Sequence, residues 1–310
     1  PMVSSGPAPV RRKIRHSRED KIFLFIITLM ITLLFLSILY PLLYIIAASF
    51  SSANALYAGK VFIWPVDFGV EGYRLVFSNR DVWTGYGNTI KYTILGTALN
   101  VAVIMGAAYP LARRNLPGRG VLMAFFTFTM YFGGGMIPSY LVVRDLGLID
   151  TTWALILPGA LSVYHTIVAR TFIQNNIPQE MLEAAQIDGC NDIRFFFRIA
   201  LPLSKAILAV TALFMAVSHW NAYFNALLYI NSRSKVPLQL VLRDILVSSK
   251  YTASSQDMAG MDPEMQAAIE RMVDTMKYAL IVISSAPIML FYPFAQKYFI
   301  KGVMIGSIKG

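Results

Sequence analysis

Charged residues are scarce in this chain: they make up 14% of its 310 residues, whereas 56% of the residues are apolar. A soluble domain carries about 25% charged residues, so this composition is typical of a membrane protein. The net charge of +10 would suit a nucleic-acid-binding protein, but no basic stripe interleaved with aromatic residues occurs, and we expect no nucleic acid partner. Only one cysteine is present, Cys190, which excludes an intrachain disulfide.

Two further absences limit how such a protein could move a solute. All 17 acidic residues lie outside or at the edges of the apolar stretches, so no intramembrane carboxylate is available to relay protons or bind sodium. The phosphate-binding pattern G-x-x-x-x-G-K-[ST] is missing, because the only Gly-Lys pair, Gly59-Lys60, is followed by valine. Energy for active transport must therefore come from a partner protein, unless the chain is a passive pore.

Six stretches reach the length of about 20 apolar residues that crosses a bilayer as a helix. These predicted spans are 22–50, 88–112, 120–143, 152–173, 203–230 and 278–299. The sequence therefore predicts an all-α, polytopic membrane protein whose six-helix domain covers residues 22–299. The predicted segments around the spans are a basic tail (1–21), a loop (174–202), an insertion (231–277) and a C-terminal tail (300–310).

The lysine and arginine residues in the segments beside the spans predict how the spans are oriented in the membrane. Basic residues concentrate in the N-terminal tail, in the loop 113–119 and in the C-terminal tail, which the positive-inside rule assigns to the cytoplasm. By parity, the loop 174–202 is also cytoplasmic and the insertion 231–277 is extracytoplasmic. The insertion carries six basic and six acidic residues, which gives no net field to select an acidic ligand. Within it, Asp262-Pro263 predicts the start of a short surface helix.

The cytoplasmic loop has the pattern of two short helices joined by a turn. Pro178 suits the first turn of a helix, Glu180 and Glu183 suit its positive N-terminal end, and Gly189 suits a chain reversal with positive φ. Ala184 and Ala185 would present a small, smooth surface to another protein. The second helix then has a predicted apolar face of Ile193, Phe196, Phe197 and Ile199.

The spacing E-A-A-x-x-x-G, nine residues, I-x-L-P in this loop resembles the signature of membrane subunits of binding-protein-dependent ATP-binding-cassette (ABC) importers. The residues concerned are Glu183, Ala184, Ala185, Asp188, Gly189, Ile199, Leu201 and Pro202. The resemblance implies a type I importer permease fold in a bacterial inner membrane, with a coupling helix that docks in a cleft of an ATPase subunit. It further implies that this chain binds no cofactor and is no enzyme, since ATP and Mg lie on two partner ATPase subunits. A second permease subunit, of different sequence, and an extracytoplasmic solute-binding protein complete the implied assembly.

Other features narrow the resemblance to carbohydrate importers. The basic tail, six spans and the ending Lys301–Gly310 are similar to the smaller permease subunit of maltose-type importers. The long insertion and the run Trp220–Leu227 look more like permeases for aldouronates, pectin fragments or alginate. The expected function is ATP-driven import of an oligosaccharide by alternating access, and the second likeness extends the expectation to acidic ones such as alginate or other uronates. An importer of a non-sugar solute and a passive channel or scaffold stay open as alternatives.

Polar and aromatic residues within the spans are candidates for the substrate pathway. Sugars have apolar ring faces and hydroxyl edges, which aromatic rings and amides recognise. The candidates are Tyr131, Tyr140, His165, Trp220, Asn221, Tyr223 and Asn225. The same residue types also pack helices together and collect at membrane interfaces, so each has an alternative structural role. Gly133-Gly134-Gly135 is predicted to form either a hinge or a close helix crossing. We expect no catalytic residue and no metal site.

Overall fold

The computed structural model describes residues 17–252 and 262–307. The first 16 residues of the predicted basic tail, residues 253–261 of the predicted insertion and residues 308–310 lie outside the described part. Within the described part every regular element is helical, which confirms the all-α class. The α-helices are α1 (Arg18–Ser49), α2 (Ala53–Tyr57), α3 (Glu71–Ser78), α4 (Arg80–Ala112), α5 (Arg119–Tyr131), α6 (Met136–Asp145), α7 (Thr152–Ile156), α8 (Val163–Asn176), α9 (Gln179–Ile187), α10 (Asp192–Phe195), α11 (Leu201–Leu203), α12 (Lys205–Trp220), α13 (Phe224–Tyr229), α14 (Leu238–Thr252) and α15 (Pro263–Ser307).

Helix α1 is 32 residues long and apolar on all sides. It begins with a capping box, in which Asp20 N donates to Ser17 Oγ at 3.1 Å and Ser17 N donates to Asp20 Oδ2 at 2.9 Å. Its buried residues are confined to the last turn, Ala47 to Ser49. An apolar helix with so little protein around it needs lipid or another subunit to cover it.

Helix α4 is the central element of the bundle. It is 33 residues long and packs against α8, α12, α14 and α7. Asn100 in its middle is 1% exposed and donates to the carbonyls of Gly159 and Ala160 at 2.6 and 2.8 Å. Asn100 Oδ1 also lies 2.6 Å from His219 Nε2 on α12. One amide therefore joins three segments, as expected of polar residues between membrane helices.

Several predicted spans are not single helices. Within the described residues, α1, α4 and the stretch Val273–Phe291 are long and apolar enough to cross a membrane. The pair α5 and α6, bent by 112°, and the pair Asp192–Leu203 and Lys205–Trp220, bent by 80°, would add two spans if each pair crosses. The predicted span 152–173 is divided between α7 and α8. The count of six spans stays a prediction.

Helix α15 runs from the predicted insertion 231–277 through the predicted span 278–299 without a break. It starts at Pro263, as predicted, and Glu264 N donates to Asp262 Oδ1 at 3.1 Å. The expected short surface helix does not end, however, and continues as one 45-residue helix to Ser307. No glycine or proline occurs between Pro263 and Pro287 to break it. The predicted boundary between residues 277 and 278 therefore falls inside a helix.

Asp150 fixes the connection between α6 and α7 to the segment that follows α13. Its backbone has φ +59°, and its N–H donates to Tyr229 O at 2.7 Å. Its carboxylate accepts from the backbone of Asn231 and Ser232 at 3.1 and 2.9 Å, from the Ser232 hydroxyl, and from Lys235 Nζ at 2.9 Å. These bonds hold the pKa of Asp150 well below its ordinary value, and the bond from the Ser232 hydroxyl contributes most to that shift.

Candidate functional site

The predicted helix–turn–helix of the cytoplasmic loop is present. Helix α9 follows Pro178 and ends at Ile187, and Gly189 has φ +77°. Cys190 N then donates to Ala185 O at 2.8 Å, which closes the turn. Asn191 caps the next helix, because its Oδ1 accepts from Arg194 N at 2.8 Å. Gly189 and Glu180 therefore lie as predicted, whereas Pro178 is the residue before the helix and Glu183 lies beyond its first turn.

Helix α9 presents one buried and one open face. Leu182 is 3% exposed and anchors the helix on the bundle, whereas Glu183 and Ala184 are exposed and Ala185 is half-buried. Ile187 is 87% exposed at the end of the helix, beside exposed Asp188 and Gly189. The open face of α9 therefore combines an acidic residue, a small residue and an exposed isoleucine.

The second helix buries a residue outside its predicted apolar face. Phe195 is 1% exposed, whereas Ile193 and Phe197 of the predicted apolar face are 71% and 60% exposed. After Phe195 the chain is π-helical from Phe196 to Ala200, which the residue pattern does not predict. Of the remaining motif residues, Ile199 and Leu201 are half-buried and Pro202 is exposed.

The loop is held on the bundle by three residues that the motif does not contain: Tyr109, Arg113 and Asp192. The ring of Tyr109 on α4 lies 5.0 Å from that of Phe196 and 6.4 Å from that of Phe195. The guanidinium of Arg113 lies over the Tyr109 ring at 5.4 Å and donates to Asp192 Oδ1 at 3.2 Å. Arg113 is recognisable in the sequence as part of the basic loop 113–119. Its contact with the loop 174–202 is not, because no residue spacing links the two loops.

Four of the predicted pathway residues are exposed. Tyr131 is 73% exposed at the end of α5, next to the break that contains Gly133–Gly135. Asn221, Tyr223 and Asn225 are exposed around the break between α12 and α13. Irregular backbone at membrane depth occurs only where protein covers it or water fills a cavity. At membrane depth, either break would need cover from a partner subunit or contact with an aqueous pathway.

The other three predicted pathway residues lie within the bundle. Tyr140 stacks on Tyr229 with ring centroids 6.1 Å apart. His165 lies in the first turn of α8, and its Nδ1 is 2.9 Å from Oγ of Ser162, the residue before that helix. Trp220 is 7% exposed and donates from Nε1 to Ser284 O at 2.9 Å. In this conformation the indole N–H of Trp220 joins α12 to α15 and is not free to bind a substrate.

A groove between α4, α12 and α15 has a volume of about 610 Å³. Its lining is almost entirely apolar and includes Ile94, Val101, Leu213, Ile288 and Phe291. A saccharide needs hydrogen-bond partners for its hydroxyls, so this groove is unsuited to one. Among the described residues, no group of three or more histidine, cysteine or acidic residues is placed to hold a metal ion.

A protein-family comparison decides the identity of the chain. Residues 98–305 match the model described as the binding-protein-dependent transport system inner membrane component. The chain belongs to this family of importer permeases. The matched range contains the loop 174–202, so the resemblance drawn from the Glu183-to-Pro202 spacing is confirmed.

Curated relatives and a solved structure agree with this permease assignment. Protein LplC of Bacillus subtilis strain 168 is 47% identical over 270 residues, which cover 87% of this chain and 89% of the relative. The polygalacturonan/rhamnogalacturonan transport system permease protein YtcP of the same organism is 42% identical over 271 residues, which cover 87% and 92%. A bacterial ABC transporter involved in the import of the acidic polysaccharide alginate contains a chain with a TM-score of 0.82 and 34% identity, covering 93% of this chain and 100% of that one.

The family determines the type of protein and where it acts. The permease is a membrane subunit of an ABC importer with the type I fold, and ATP hydrolysis is carried by a separate ATPase subunit. Its family is that of inner membrane components. Importers of this kind combine the permease with a partner permease, an ATPase and a solute-binding protein. The roles predicted for individual residues, from Glu183 to Pro202 and in the pathway, stay predictions.

Proposed function

We propose that this permease imports an acidic oligosaccharide. Two comparisons support that substrate class: a 42% identical relative is named for polygalacturonan and rhamnogalacturonan, and a structure of TM-score 0.82 belongs to an alginate importer. All three named polymers are acidic: two are galacturonans, and alginate is described as an acidic polysaccharide. The predicted insertion 231–277 carries six basic and six acidic residues, so recognition of the acid would fall mainly to the binding protein and the translocation cavity.

The transport cycle that we infer is alternating access in a complex of five chains. Two permease subunits of different sequence enclose the cavity, two ATPase subunits bind ATP and Mg, and an extracytoplasmic solute-binding protein delivers the saccharide. Helix α9 would enter a cleft of the ATPase through its open face, Glu183, Ala184 and Ile187. The observation that carries this role is the geometry of the loop: a helix anchored by Leu182 with an exposed isoleucine at its tip.

The substrate would pass along the exposed helix breaks. Tyr131 beside Gly133–Gly135, and Tyr223 with Asn221 and Asn225, combine aromatic faces with amide hydrogen-bonding groups, which is the chemistry that sugars require. Discontinuous helices with accessible backbone groups are a common device at transporter substrate sites. Their exposure in the single chain is what a cavity shared with a second permease requires.

Transport in proteoliposomes tests the coupling role. The complete transporter would be reconstituted with Glu183→Ala and Gly189→Ala combined, and uptake of saccharide and hydrolysis of ATP would be measured together. We expect uptake to fall at least about tenfold, since the docking surface and its turn are both altered. Glu71→Ala, which removes an exposed acid at the start of α3, is the matched control and should transport normally. Undiminished uptake by the double variant would refute the coupling assignment.

Stimulation of ATP hydrolysis tests the substrate class. The transporter with its binding protein would be offered oligogalacturonates, alginate oligomers and neutral malto-oligomers at equal concentrations. Stimulation by one or both uronate sets and not by the neutral set supports an acidic substrate. Stimulation by malto-oligomers alone would overturn that part of the proposal and leave the importer role intact.

A further inference from the structure

Helix α4 is bound at one end to the cytoplasmic loop and at the other to the predicted outer insertion. We propose that α4 carries the movement of the coupling loop to the outer segment 231–238, and that Arg113 is the positioning residue that makes the cytoplasmic connection. This inference rests on the proposed coupling role of α9. It adds the route by which that role reaches the outer face of the permease.

The cytoplasmic connection is centred on Arg113. Its side chain is only 11% exposed, although it follows the last residue of α4 in a basic loop. The guanidinium donates to Tyr109 Oη and to Asp192 Oδ1, and lies over the Tyr109 ring at 5.4 Å. Stacking and forked hydrogen bonding use the planarity of arginine, which lysine cannot reproduce. Asp192 is the first residue of α10, so this ion pair joins α4 directly to the coupling loop.

Packing around the ion pair makes the connection stiff. Tyr109 and Phe195 belong to one buried cluster with Leu182 of α9, so the two helices of the loop and the end of α4 share a core. From the other side, Arg170 Nε on α8 donates to Leu111 O at 3.0 Å, and Gln174 Nε2 donates to Ala112 O at 3.2 Å. These bonds satisfy carbonyls at the C-terminal end of α4 that lack partners within the helix.

The outer connection uses polar side chains of α4 to hold the 3₁₀ helix Arg233–Lys235 and the residues that follow it. Asn88 Nδ2 donates to Ser234 O and Val236 O at 2.8 and 3.0 Å, and Tyr92 Oη donates to Lys235 O at 2.8 Å. Leu238 N donates to Thr89 Oγ1 at 2.8 Å, where the amide is buried. Arg233 reaches Asp81 Oδ2 through Nε and Nη2 at 3.1 and 2.9 Å.

The two connections lie on one continuous helix. About 21 residues separate Asn88 from Tyr109, which at 1.5 Å per residue is about 30 Å. The only proline in α4, Pro110, lies beyond Tyr109 and near the end of the helix. A helix of this length without an internal break moves as one body, so a displacement of the coupling loop at Arg113 would displace the segment 234–238 as well.

Variants of Arg113 in the complete transporter test the cytoplasmic connection. We expect Arg113→Gln to lower the number of saccharides moved per ATP by about fivefold or more, with the substrate concentration for half-maximal uptake unchanged. Arg113→Lys should lower the number of saccharides moved per ATP almost as much as Arg113→Gln does, because lysine keeps the charge but lacks the planar fork of the guanidinium. Arg144→Gln, which removes an exposed ion pair with Asp145, is the matched control and should keep the wild-type ratio.

Exchanging the two charges distinguishes the ion pair from a general need for arginine. Asp192→Arg alone should reduce the ratio of uptake to hydrolysis, and Arg113→Asp combined with Asp192→Arg should recover part of it.

A second measurement is the rate at which Cys190, half-buried in the loop, reacts with a maleimide. That rate should rise in Arg113→Gln while the melting temperature of the complex stays the same, which is the result for a released loop and not for an unfolded chain.

The outer connection is tested by Asn88→Ala, which should lower the same ratio of uptake to hydrolysis. A wild-type ratio in either Arg113→Gln or Asn88→Ala would overturn the proposal. Failure of the proposed function would look different: the wild-type complex, or the control Arg144→Gln, would then show no uptake linked to ATP hydrolysis. The α9 variants described above would in that case also have no effect.

Discussion

Gly96 shows how closely α4 and α12 approach each other. A Cβ added at this residue would lie 2.4 to 2.7 Å from atoms of the His219 ring, and those distances are too short for real contacts. His219 is in turn bonded to Asn100, so it cannot withdraw without breaking that contact. A single hydrogen atom in place of a methyl group is therefore what permits the polar network at the centre of the bundle.

We expect Gly96→Ala to lower the free energy of unfolding by about 1–3 kcal/mol, the usual cost of overpacking a core. Gly106→Ala on the same helix is the matched control, because a Cβ there meets nothing within 4 Å. Thermal unfolding of the purified transporter in detergent measures both variants. A melting temperature for Gly96→Ala equal to that of Gly106→Ala would contradict the contact.

Asp150 is a second residue whose charge has a structural consequence. Because its pKa is lowered in the folded chain, the carboxylate stabilises the fold above the unfolded pKa of about 3.9, and this stabilisation is lost as the pH falls below about 4. We expect Asp150→Asn to unfold at a lower temperature than wild type at pH 7, and the difference to shrink below pH 4. Asparagine tolerates the positive φ of Asp150, so the substitution removes the charge and the acceptor at Oδ2 without straining the backbone. Equal unfolding temperatures at pH 7 would refute it.

At the scale of the elements, the sequence predicts where helices occur better than where they break. Apolar length alone places α1 and α4, and the turn at Gly189 follows from glycine chemistry. The residue pattern does not predict the π-helical stretch Phe196–Ala200, which directly follows Phe195, a residue packed against Tyr109 of α4. The contact of Arg113 with Asp192 is also missed, because it joins residues 79 positions apart.

The break between α5 and α6 depends on one of its three glycines more than on the others. Gly135 has φ +84°, whereas Gly133 and Gly134 have no positive φ. We expect Gly135→Ala to cost about 1–2 kcal/mol of folding free energy through backbone strain, and Gly133→Ala, which meets nothing within 4 Å, to cost little. Thermal unfolding compares the two, and uptake assays then show whether the bend of 112° matters for transport. A greater loss in Gly133→Ala would mean that the predicted hinge lies elsewhere.

At the scale of the whole molecule, the apolar surface of α1 and the exposed breaks have a common explanation. Neither is stable in water, and neither is covered by the described part of this chain. Lipid can cover a continuous apolar helix, but it cannot satisfy the open backbone of the α5–α6 break. The permease is therefore incomplete as a single chain on physical grounds alone, and its family supplies the partner permease that such a surface requires.

The predicted orientation depends on whether the divided stretch 152–173 crosses the membrane. If it does, Asn115 and Gln186 face the cytoplasm and Leu146 faces outward; if it does not, Leu146 and Gln186 lie on the same side. Each position is exposed and can carry a single cysteine once Cys190→Ser removes the native one. We expect a membrane-impermeant maleimide to label Leu146→Cys in intact cells, and Asn115→Cys and Gln186→Cys only after permeabilisation. Labelling of Gln186→Cys in intact cells would exclude six spans and, with them, a cytoplasmic coupling loop.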